Sequence, residues 1–176
     1  MLRVMIFIDG ANIFHTGQIF RTNFRIDYRK LANVLAGSRQ LIRVYYFTAI
    51  ETPPSTKQIK YHDRLQNLGV TIVTRPLRKK GNSFIEKGVD VALVTEMLYL
   101  GFRDAYDVAI LVSGDNDYVG AVQKLKSEGK IVEVAAFNCG IGRELRLSAD
   151  KFVALDDLAP AIEQVRSNDL TLGNSL

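Results

Sequence analysis

The chain has 176 residues, of which 23 are Lys or Arg and 19 are Asp or Glu, giving a formal net charge of +4. Hydrophobic residues make up 47% and charged residues 24%, a balance typical of one folded domain that excludes collagen, coiled coil and wholesale disorder. A single cysteine excludes an internal disulfide and a cysteine-based zinc cluster, and two histidines make a histidine-rich metal site a poor fit.

Short apolar runs rich in Val and Ile alternate along the chain with longer amphipathic stretches. The runs predict strands at residues 3–8, 42–48, 70–74, 108–112 and 131–135, with a shorter one at 152–155. The amphipathic stretches predict helices at residues 27–35, 56–68, 89–100, 118–127, 143–148 and 158–165. Strands that are apolar throughout indicate a parallel sheet covered on both faces. We therefore expect an α/β fold with a mainly parallel sheet of about five strands.

The two ends of the sequence carry separate expectations. Asp9 interrupts the apolar run at the N-terminus, and no later stretch reaches about 18 consecutive apolar residues. A signal peptide or a membrane span is therefore a poor fit, and we expect a cytoplasmic protein. Residues 167–176 are polar and weakly patterned, which is typical of a tail. We expect one domain over residues 1–166, followed by this tail.

Basic residues are concentrated in the middle of the chain. Residues 21–87 contain 14 basic and 4 acidic side chains, a local charge of +10, and the densest cluster is at residues 75–80. Such a cluster favours a polyanionic partner, and the alternative is a solvated surface. The candidate nucleic-acid-binding residues are Arg75, Arg78, Lys79, Lys80, Lys87, Arg143 and Arg146.

Aspartates interrupt three apolar segments. Asp9 ends the first predicted strand, Asp90 lies at the apolar start of a predicted helix, and Asp115 and Asp117 follow the fourth predicted strand. Ligands bind open α/β sheets at the carboxyl ends of strands where the strand order reverses, so these aspartates converge if the first and fourth strands are neighbours. Several carboxylates in one small site need a cation, and oxygen ligands alone favour Mg²⁺ or Mn²⁺. The structural alternative is that the aspartates cap helices or form an Asx turn.

Three sequence blocks together resemble the signature of one nuclease family. The blocks are residues 7–12 (Phe-Ile-Asp-Gly-Ala-Asn), 87–93 (Lys-Gly-Val-Asp-Val-Ala-Leu) and 113–118 (Ser-Gly-Asp-Asn-Asp-Tyr). In content and order they are similar to the NYN domain, the LabA-like group of the PIN-like nuclease superfamily. Residues 148–152 (Ser-Ala-Asp-Lys-Phe) resemble a fourth block of that family. The resemblance covers residues 3–158, nearly the whole chain.

The resemblance implies a Rossmann-like fold of three layers, α/β/α, and metal-dependent hydrolysis of RNA. It places Asp9, Asn12, Asp90, Ser113, Asp115 and Asp117 at the catalytic site, with the four aspartates at the metal-binding positions. Mg²⁺ or Mn²⁺ there activates water and neutralises the charge that develops on the phosphate. We therefore expect a ribonuclease that cleaves RNA endonucleolytically.

Other functions stay open from the sequence. The same fold can serve as a non-catalytic module that binds RNA or a protein partner in regulation, or as a metal-dependent phosphatase of small nucleotides. A closed crevice with the basic segment pointing away favours the phosphatase, whereas an activity assay separates the nuclease from the regulatory module. A homodimer also stays open. A dinucleotide dehydrogenase and a P-loop NTPase are excluded because their glycine-rich motifs are missing.

Overall fold

A computed structural model describes residues 1–80, 83–85 and 87–164, without the side chains of residues 78–80 and 83–85. The central sheet contains β1 (Arg3–Asp9), β2 (Gln40–Ile50), β3 (Val70–Pro76), β6 (Val108–Val112), β7 (Ile131–Ala136) and β8 (Lys151–Ala154). Two short strands, β4 (Arg78–Lys80) and β5 (Ser83–Ile85), form a separate antiparallel hairpin. The strand order of the central sheet is β3-β2-β1-β6-β7-β8, and every neighbouring pair is parallel.

Helices cover both faces of this sheet. The helices of the described residues are α1 (Gly10–Phe20), α2 (Tyr28–Ala36), α3 (Thr56–Asn67), α4 (Val89–Phe102), α5 (Val119–Ser127), α6 (Arg143–Ser148) and α7 (Leu155–Ile162). Helices α1, α2, α3 and α7 pack on one face, and α4, α5 and α6 pack on the other. None of the helices among the described residues is long and apolar enough to cross a membrane.

The strands are apolar throughout because both faces of the sheet are buried. In β1, Ile6 and Ile8 face the α1 side, while Met5 and Phe7 face the α4 side, and none of the four is more than 4% exposed. The same alternation holds in β6, where every residue is buried. Burial of an apolar side chain stabilises the fold by about 1.5–3 kcal/mol, so the strands at the middle of the sheet anchor the domain.

The α/β class and the parallel sheet are confirmed, with six strands instead of about five because β8 pairs fully with β7. Helix α1 was not predicted, since Gly10 and Gly17 lower the helix propensity of its sequence. It forms because Asp9 caps its first turn and Ile13 packs against the sheet. The sequence predicts no strand or helix between residues 75 and 88, and the β4–β5 hairpin lies in this segment. The predicted tail at residues 167–176 lies outside the described residues.

Candidate active site

The candidate site lies where β1 and β6 end side by side. Ile8 of β1 is in register with Val112 of β6, so Asp9 and Ser113 emerge next to each other. The chain continues from β1 to β2 and β3 on one side and returns to β6 on the other, so the strand order reverses between β1 and β6. The first and fourth predicted strands are therefore neighbours, which is the condition for the aspartates to converge, and a crevice opens at this point of the sheet.

Asp9 is the buried centre of the site. Its side chain is 8% exposed, and one carboxylate oxygen, Oδ1, accepts a hydrogen bond from the backbone N–H of Asn12 at 3.1 Å. The other oxygen, Oδ2, accepts hydrogen bonds from the hydroxyl of Tyr118 at 3.0 Å and from the hydroxyl of Ser113 at 3.2 Å. Asp9 therefore caps α1 and also points an acceptor-rich carboxylate into the crevice.

Burial raises the pKa of Asp9 above its ordinary value. The hydrogen bonds from Asn12, Tyr118 and Ser113 favour the ionised carboxylate and oppose this rise, whereas the negative charge of Asp115 adds to it. Burial likewise raises the pKa of Tyr118, so its hydroxyl stays protonated and donates to Asp9. A cation in the crevice would relieve the cost of holding these carboxylates ionised.

The loop after β6 is fixed by hydrogen bonds to the start of α1 and within itself. The side-chain oxygen of Asn12 accepts the backbone N–H of Gly114 at 3.0 Å, and the Ser113 hydroxyl accepts the N–H of Asp115 at 3.3 Å. The carboxylate of Asp115 in turn accepts the N–H of Asp117 at 3.0 Å. Gly114 packs so closely on the backbone of Gly140 that a Cβ atom would overlap its carbonyl oxygen, so only glycine fits here.

Asp90 approaches the same crevice from a different segment. It lies in the first turn of α4, after Gly88, which adopts a positive φ of 81° and begins the helix without a side-chain cap. The cap alternative is therefore correct for Asp9 and Asp115 and wrong for Asp90, whose exposed carboxylate takes no capping role. An acidic side chain in a first helical turn is also favoured by the helix dipole.

Three of the four predicted aspartates line one crevice of about 330 Å³. Its lining residues are Asp9, Ala11, Asn12, Gly88, Val89, Asp90, Asp115 and Tyr118. Asp117 is exposed and is not part of this lining, and Ser113 lies fully buried beneath Asp9. The crevice thus gathers carboxylates from β1, from α4 and from the loop after β6, as the sequence pattern predicts for these three residues.

The donor chemistry of the crevice suits a hard divalent cation. Its side-chain donors are carboxylate, amide and hydroxyl oxygens, which Mg²⁺ and Mn²⁺ prefer. Among the described residues, however, no three His, Cys, Asp or Glu side chains stand close enough together to hold an ion as they are placed. Asp90 and Asp115 are exposed side chains, so rotamer changes are the means by which they could close around an ion.

The predicted basic residues lie in three separate segments of the fold. Arg75 at the end of β3 and Lys87 before α4 are exposed and line a groove of about 400 Å³ that shares Gly88 with the crevice. Glu96 lies in this groove and not among the crevice residues. Arg78, Lys79 and Lys80 form β4, and their side chains lie outside the described part of the chain.

Arg143 and Arg146 lie on α6, beyond the loop that carries Asp115. The side-chain oxygen of Asn116 accepts the backbone N–H of Leu145 at 3.1 Å, which fastens α6 to that loop. The guanidinium carbon of Arg146 stands 4.5 Å from the centre of the Phe152 ring, so Arg146 is held by a cation–π contact. Arg143 is exposed at the first position of α6 and is the freer of the two to meet a phosphate.

Tyr118 lines the crevice and donates to Asp9, and sequence reasoning missed it. It closes the third sequence block, but a tyrosine after a run of Asp and Asn has no pattern that marks it as a hydrogen-bond donor to Asp9. Its role follows only from the turn at Asn116–Tyr118, which returns the chain over the end of β1.

Comparisons with known proteins agree with this arrangement. The chain is 29% identical over 170 residues to the low amplitude and bright protein LabA of Synechococcus elongatus, an alignment covering 92% of this chain and 88% of that protein. The crystal structure of a protein of unknown function from Vibrio parahaemolyticus has the same fold, with a TM-score of 0.78, 22% identity, and coverage of 93% of this chain and 96% of that one. The NYN domain family matches residues 3–156, which include the end of β1, the start of α4 and the loop after β6, the three segments whose carboxylates line the crevice. The chain therefore belongs to the NYN domain family.

Proposed function

We propose that this protein is a metal-dependent endoribonuclease whose active site is the crevice lined by Asp9, Asp90 and Asp115. The observation that carries the proposal is that carboxylates from three separate chain segments line one open crevice at the strand-order reversal. Membership of the NYN domain family, which belongs to a nuclease superfamily, supports the same activity. The crevice is open to solvent, which favours a polymer over a small nucleotide. The adjoining groove with Arg75 and Lys87 suits a phosphate backbone.

The residues of the crevice take distinct roles in this proposal. Asp9, Asp90 and Asp115 would hold Mg²⁺ or Mn²⁺, which when bound supplies charge stabilisation and an activated water. Asn12 and Ser113 are positioning residues, because they hold the loop of Asp115 against the end of β1. The Tyr118 hydroxyl donates a hydrogen bond to the Asp9 carboxylate and so favours the ionised form of Asp9. Asp117 holds Asp115 through its backbone N–H, and we assign its carboxylate no direct ligand role.

Cleavage of labelled nucleic acids tests the proposal directly. The purified chain is incubated with end-labelled single-stranded RNA, duplex RNA and single-stranded DNA, with Mn²⁺, with Mg²⁺ or with EDTA. We expect internal cleavage of RNA that requires the metal. Release of phosphate from mononucleotides without internal cleavage would favour the phosphatase, and metal-independent RNA binding without cleavage would favour the regulatory module.

Paired variants separate the crevice from the remainder of the surface. Asp90→Asn and Asp115→Asn remove one anionic ligand each and should abolish cleavage, since a hard cation binds neutral amides more weakly than carboxylates. Asp63→Asn makes the same change at an exposed position on α3 outside the crevice and should leave cleavage at the wild-type rate. Asp117→Asn should reduce cleavage less than Asp115→Asn, because Asp117 does not line the crevice. Equal rates for Asp63→Asn and Asp115→Asn would refute the assigned site.

A further inference from the structure

A second cavity adjoins the acidic crevice on the opposite face of the sheet. It has a volume of about 530 Å³, which lies within the range of roughly 300–1,000 Å³ found for small-molecule sites. Ala11, in the first turn of α1, lines both the cavity and the crevice. The two sites therefore meet at the first turn of α1, in a helix that is about 10 Å wide with its side chains.

Aromatic side chains form much of the cavity, and two of them are unusually exposed. Phe14 of α1 is 52% exposed and Tyr61 of α3 is 41% exposed, so two different helices present aromatic rings at the mouth. Tyr46 of β2 and Tyr28 of α2 are buried at the base, with ring centres 5.1 Å apart. Such rings offer flat apolar surfaces on which a planar ligand can stack.

Polar groups at the base and rim fit the edges of a planar, hydrogen-bonding ligand. The Tyr61 hydroxyl donates to the Tyr46 hydroxyl at 3.4 Å, and the side chains of Thr48 and Gln58 also line the cavity. Burial raises the pKa of Tyr46 well above its ordinary value, so its hydroxyl stays protonated and can donate. Donors and acceptors in an aromatic cavity are the features by which proteins recognise unstacked bases.

Charged residues at the rim add a preference for an anionic ligand. Arg25 and Lys57 carry positive charge, and Glu51 is the acidic residue of the lining, so the rim is net positive by one charge. The guanidinium carbon of Arg25 stands over the Phe14 ring, 5.0 Å from its centre, so a planar cation covers one face of this exposed ring. Arginine in this position contributes both stacking and phosphate contact.

Gly10 explains why the cavity and the crevice can lie so close together. A Cβ atom at Gly10 would overlap the Tyr46 ring, at 2.5 Å from its nearest carbon atom. Glycine therefore lets α1 begin directly against the aromatic base of the cavity while Asp9, the preceding residue, points into the crevice.

We propose that this cavity binds one unpaired base of the RNA strand whose backbone lies at the acidic crevice. The inference rests on the proposed function and deepens it, since it makes the substrate a single strand with a base turned out of its stack. Bases in an RNA duplex are stacked and paired and so cannot enter. The cavity would thereby select single-stranded or looped RNA over duplex RNA.

Binding of a fluorescein-labelled single-stranded RNA in EDTA tests the proposal without any cleavage. Phe14→Ala and Tyr61→Leu should each weaken binding by at least about fivefold, the lower end of the loss found on removing a stacking aromatic. Tyr61→Phe keeps the ring and should lose less affinity than Tyr61→Leu. Phe102→Ala and Tyr99→Leu are matched controls, since Phe102 is 52% and Tyr99 58% exposed on α4, outside the cavity. Binding of duplex RNA should be equal in all variants.

An abasic nucleotide moved along the RNA locates the bound base. At one position it should weaken binding to the wild-type protein but not weaken binding to Phe14→Ala further, because both changes remove the same contact. Equal affinities of Phe14→Ala and Phe102→Ala would overturn the proposal. Competition by a free mononucleotide as tight as the oligonucleotide would also overturn it, in favour of a separate nucleotide site.

The same proteins assayed for cleavage in Mn²⁺ distinguish failure of this proposal from failure of the proposed function. Base-dependent binding without cleavage by the wild type would contradict the proposed nuclease activity and support the base pocket. Cleavage that is unaffected by Phe14→Ala at limiting RNA would support the nuclease activity and contradict the base pocket.

Discussion

At the scale of single residues, two aspartates of the site have a structural role that is compatible with the proposed metal binding. Asp9 caps α1 and Asp115 caps the turn after β6, so each carboxylate is held in place by a hydrogen bond that it accepts from a backbone N–H. Their capping oxygens still leave lone pairs for a cation, since a carboxylate has about four acceptor sites. Asp90 has no capping role and lies beside them only because α4 begins at this edge of the sheet.

Two variants of Asp115 separate its charge from its cap. Asp115→Asn keeps an oxygen that accepts the N–H of Asp117 and removes a charge that raises the pKa of Asp9. The melting temperature of the metal-free protein should therefore stay equal or rise. Asp115→Ala also loses the cap and should lower the free energy of unfolding by about 1 kcal/mol. Thermal melts in EDTA measure both, and equal losses in the two variants would mean that the charge itself is structural.

Asp107, which lies far from the site, makes a pH-dependent contribution to the free energy of unfolding. Hydrogen bonds from the Arg3 side chain and backbone lower the pKa of Asp107 from an ordinary value of 3.8 to about 2. The folded chain favours the ionised form of Asp107. Asp107 therefore stabilises the fold fully above pH 3.8, and this stabilisation is lost as the pH falls towards 2. Urea unfolding of the wild type and Asp107→Asn should therefore give curves that converge over this range. A difference that is independent of pH would contradict the assignment.

At the scale of elements, the site depends on contacts between α6 and the loop after β6. Helix α6 has Gly142 as its N-cap residue, which has no side chain to cap the helix. Asn116 supplies one from outside, because its side-chain oxygen accepts the N–H of Leu145 and its amide nitrogen donates to Glu144 at 2.6 Å. The loop that carries Asp115 is thus braced from the side opposite Asn12.

Removal of this brace should weaken the fold by a measurable amount. Asn116→Ala leaves the N–H of Leu145 without its side-chain acceptor and should lower the free energy of unfolding by about 1 kcal/mol. Asn33→Ala, at an exposed position on α2, is the matched control and should be neutral or slightly stabilising, since alanine favours helix. Denaturant titration measures both variants. Equal stability of the two would show that Asn116 does not hold α6.

The sequence predicts some elements of this site better than others, for physical reasons. Strands such as Val108–Val112 are apolar throughout, which leaves little choice but a buried parallel strand. Helix α1 is missed because Gly10 and Gly17 lower the helix propensity of its sequence. Gly10 is nevertheless required, since a Cβ atom there would overlap the Tyr46 ring. Tyr118 and the cavity next to α1 depend on strand order and helix packing. Those contacts join residues distant in sequence and have no local pattern.

At the scale of the whole molecule, charge is distributed so that the acidic crevice borders basic surface. The groove that shares Gly88 with the crevice contains Arg75 and Lys87, and the basic strand β4 follows β3 directly. Arg25 and Lys57 lie at the rim of the cavity on the other face. If the proposed function is right, an RNA backbone at the crevice would meet positive charge on both sides, which would attract and position it without reading its sequence.

The salt dependence of RNA binding tests this distribution. Each phosphate contact changes the slope of log affinity against log salt by about −0.7 on a single strand, so Arg78, Lys79 and Lys80 replaced together by Ala should flatten it by about two. Cleavage at saturating RNA should stay near the wild-type rate. The control of equal charge replaces Arg29, Arg103 and Lys124 by Ala and should preserve the slope. These three residues are exposed and line neither the crevice nor the aromatic cavity. A wild-type slope in the first variant would make segment 78–80 a solvated surface.

Calorimetric titration of Mn²⁺ into the wild type and Asp90→Asn tests most directly whether the three aspartates form one metal site. Asp90 reaches the crevice from α4, whereas Asp9 and Asp115 follow adjacent strands. We predict that Asp90→Asn weakens Mn²⁺ binding at least about tenfold, a change of about 1.4 kcal/mol, while Asp63→Asn binds as the wild type does. Mn²⁺ binding that is equally tight in Asp90→Asn, or absent from the wild type in the presence of RNA, would contradict the metal-dependent nuclease site.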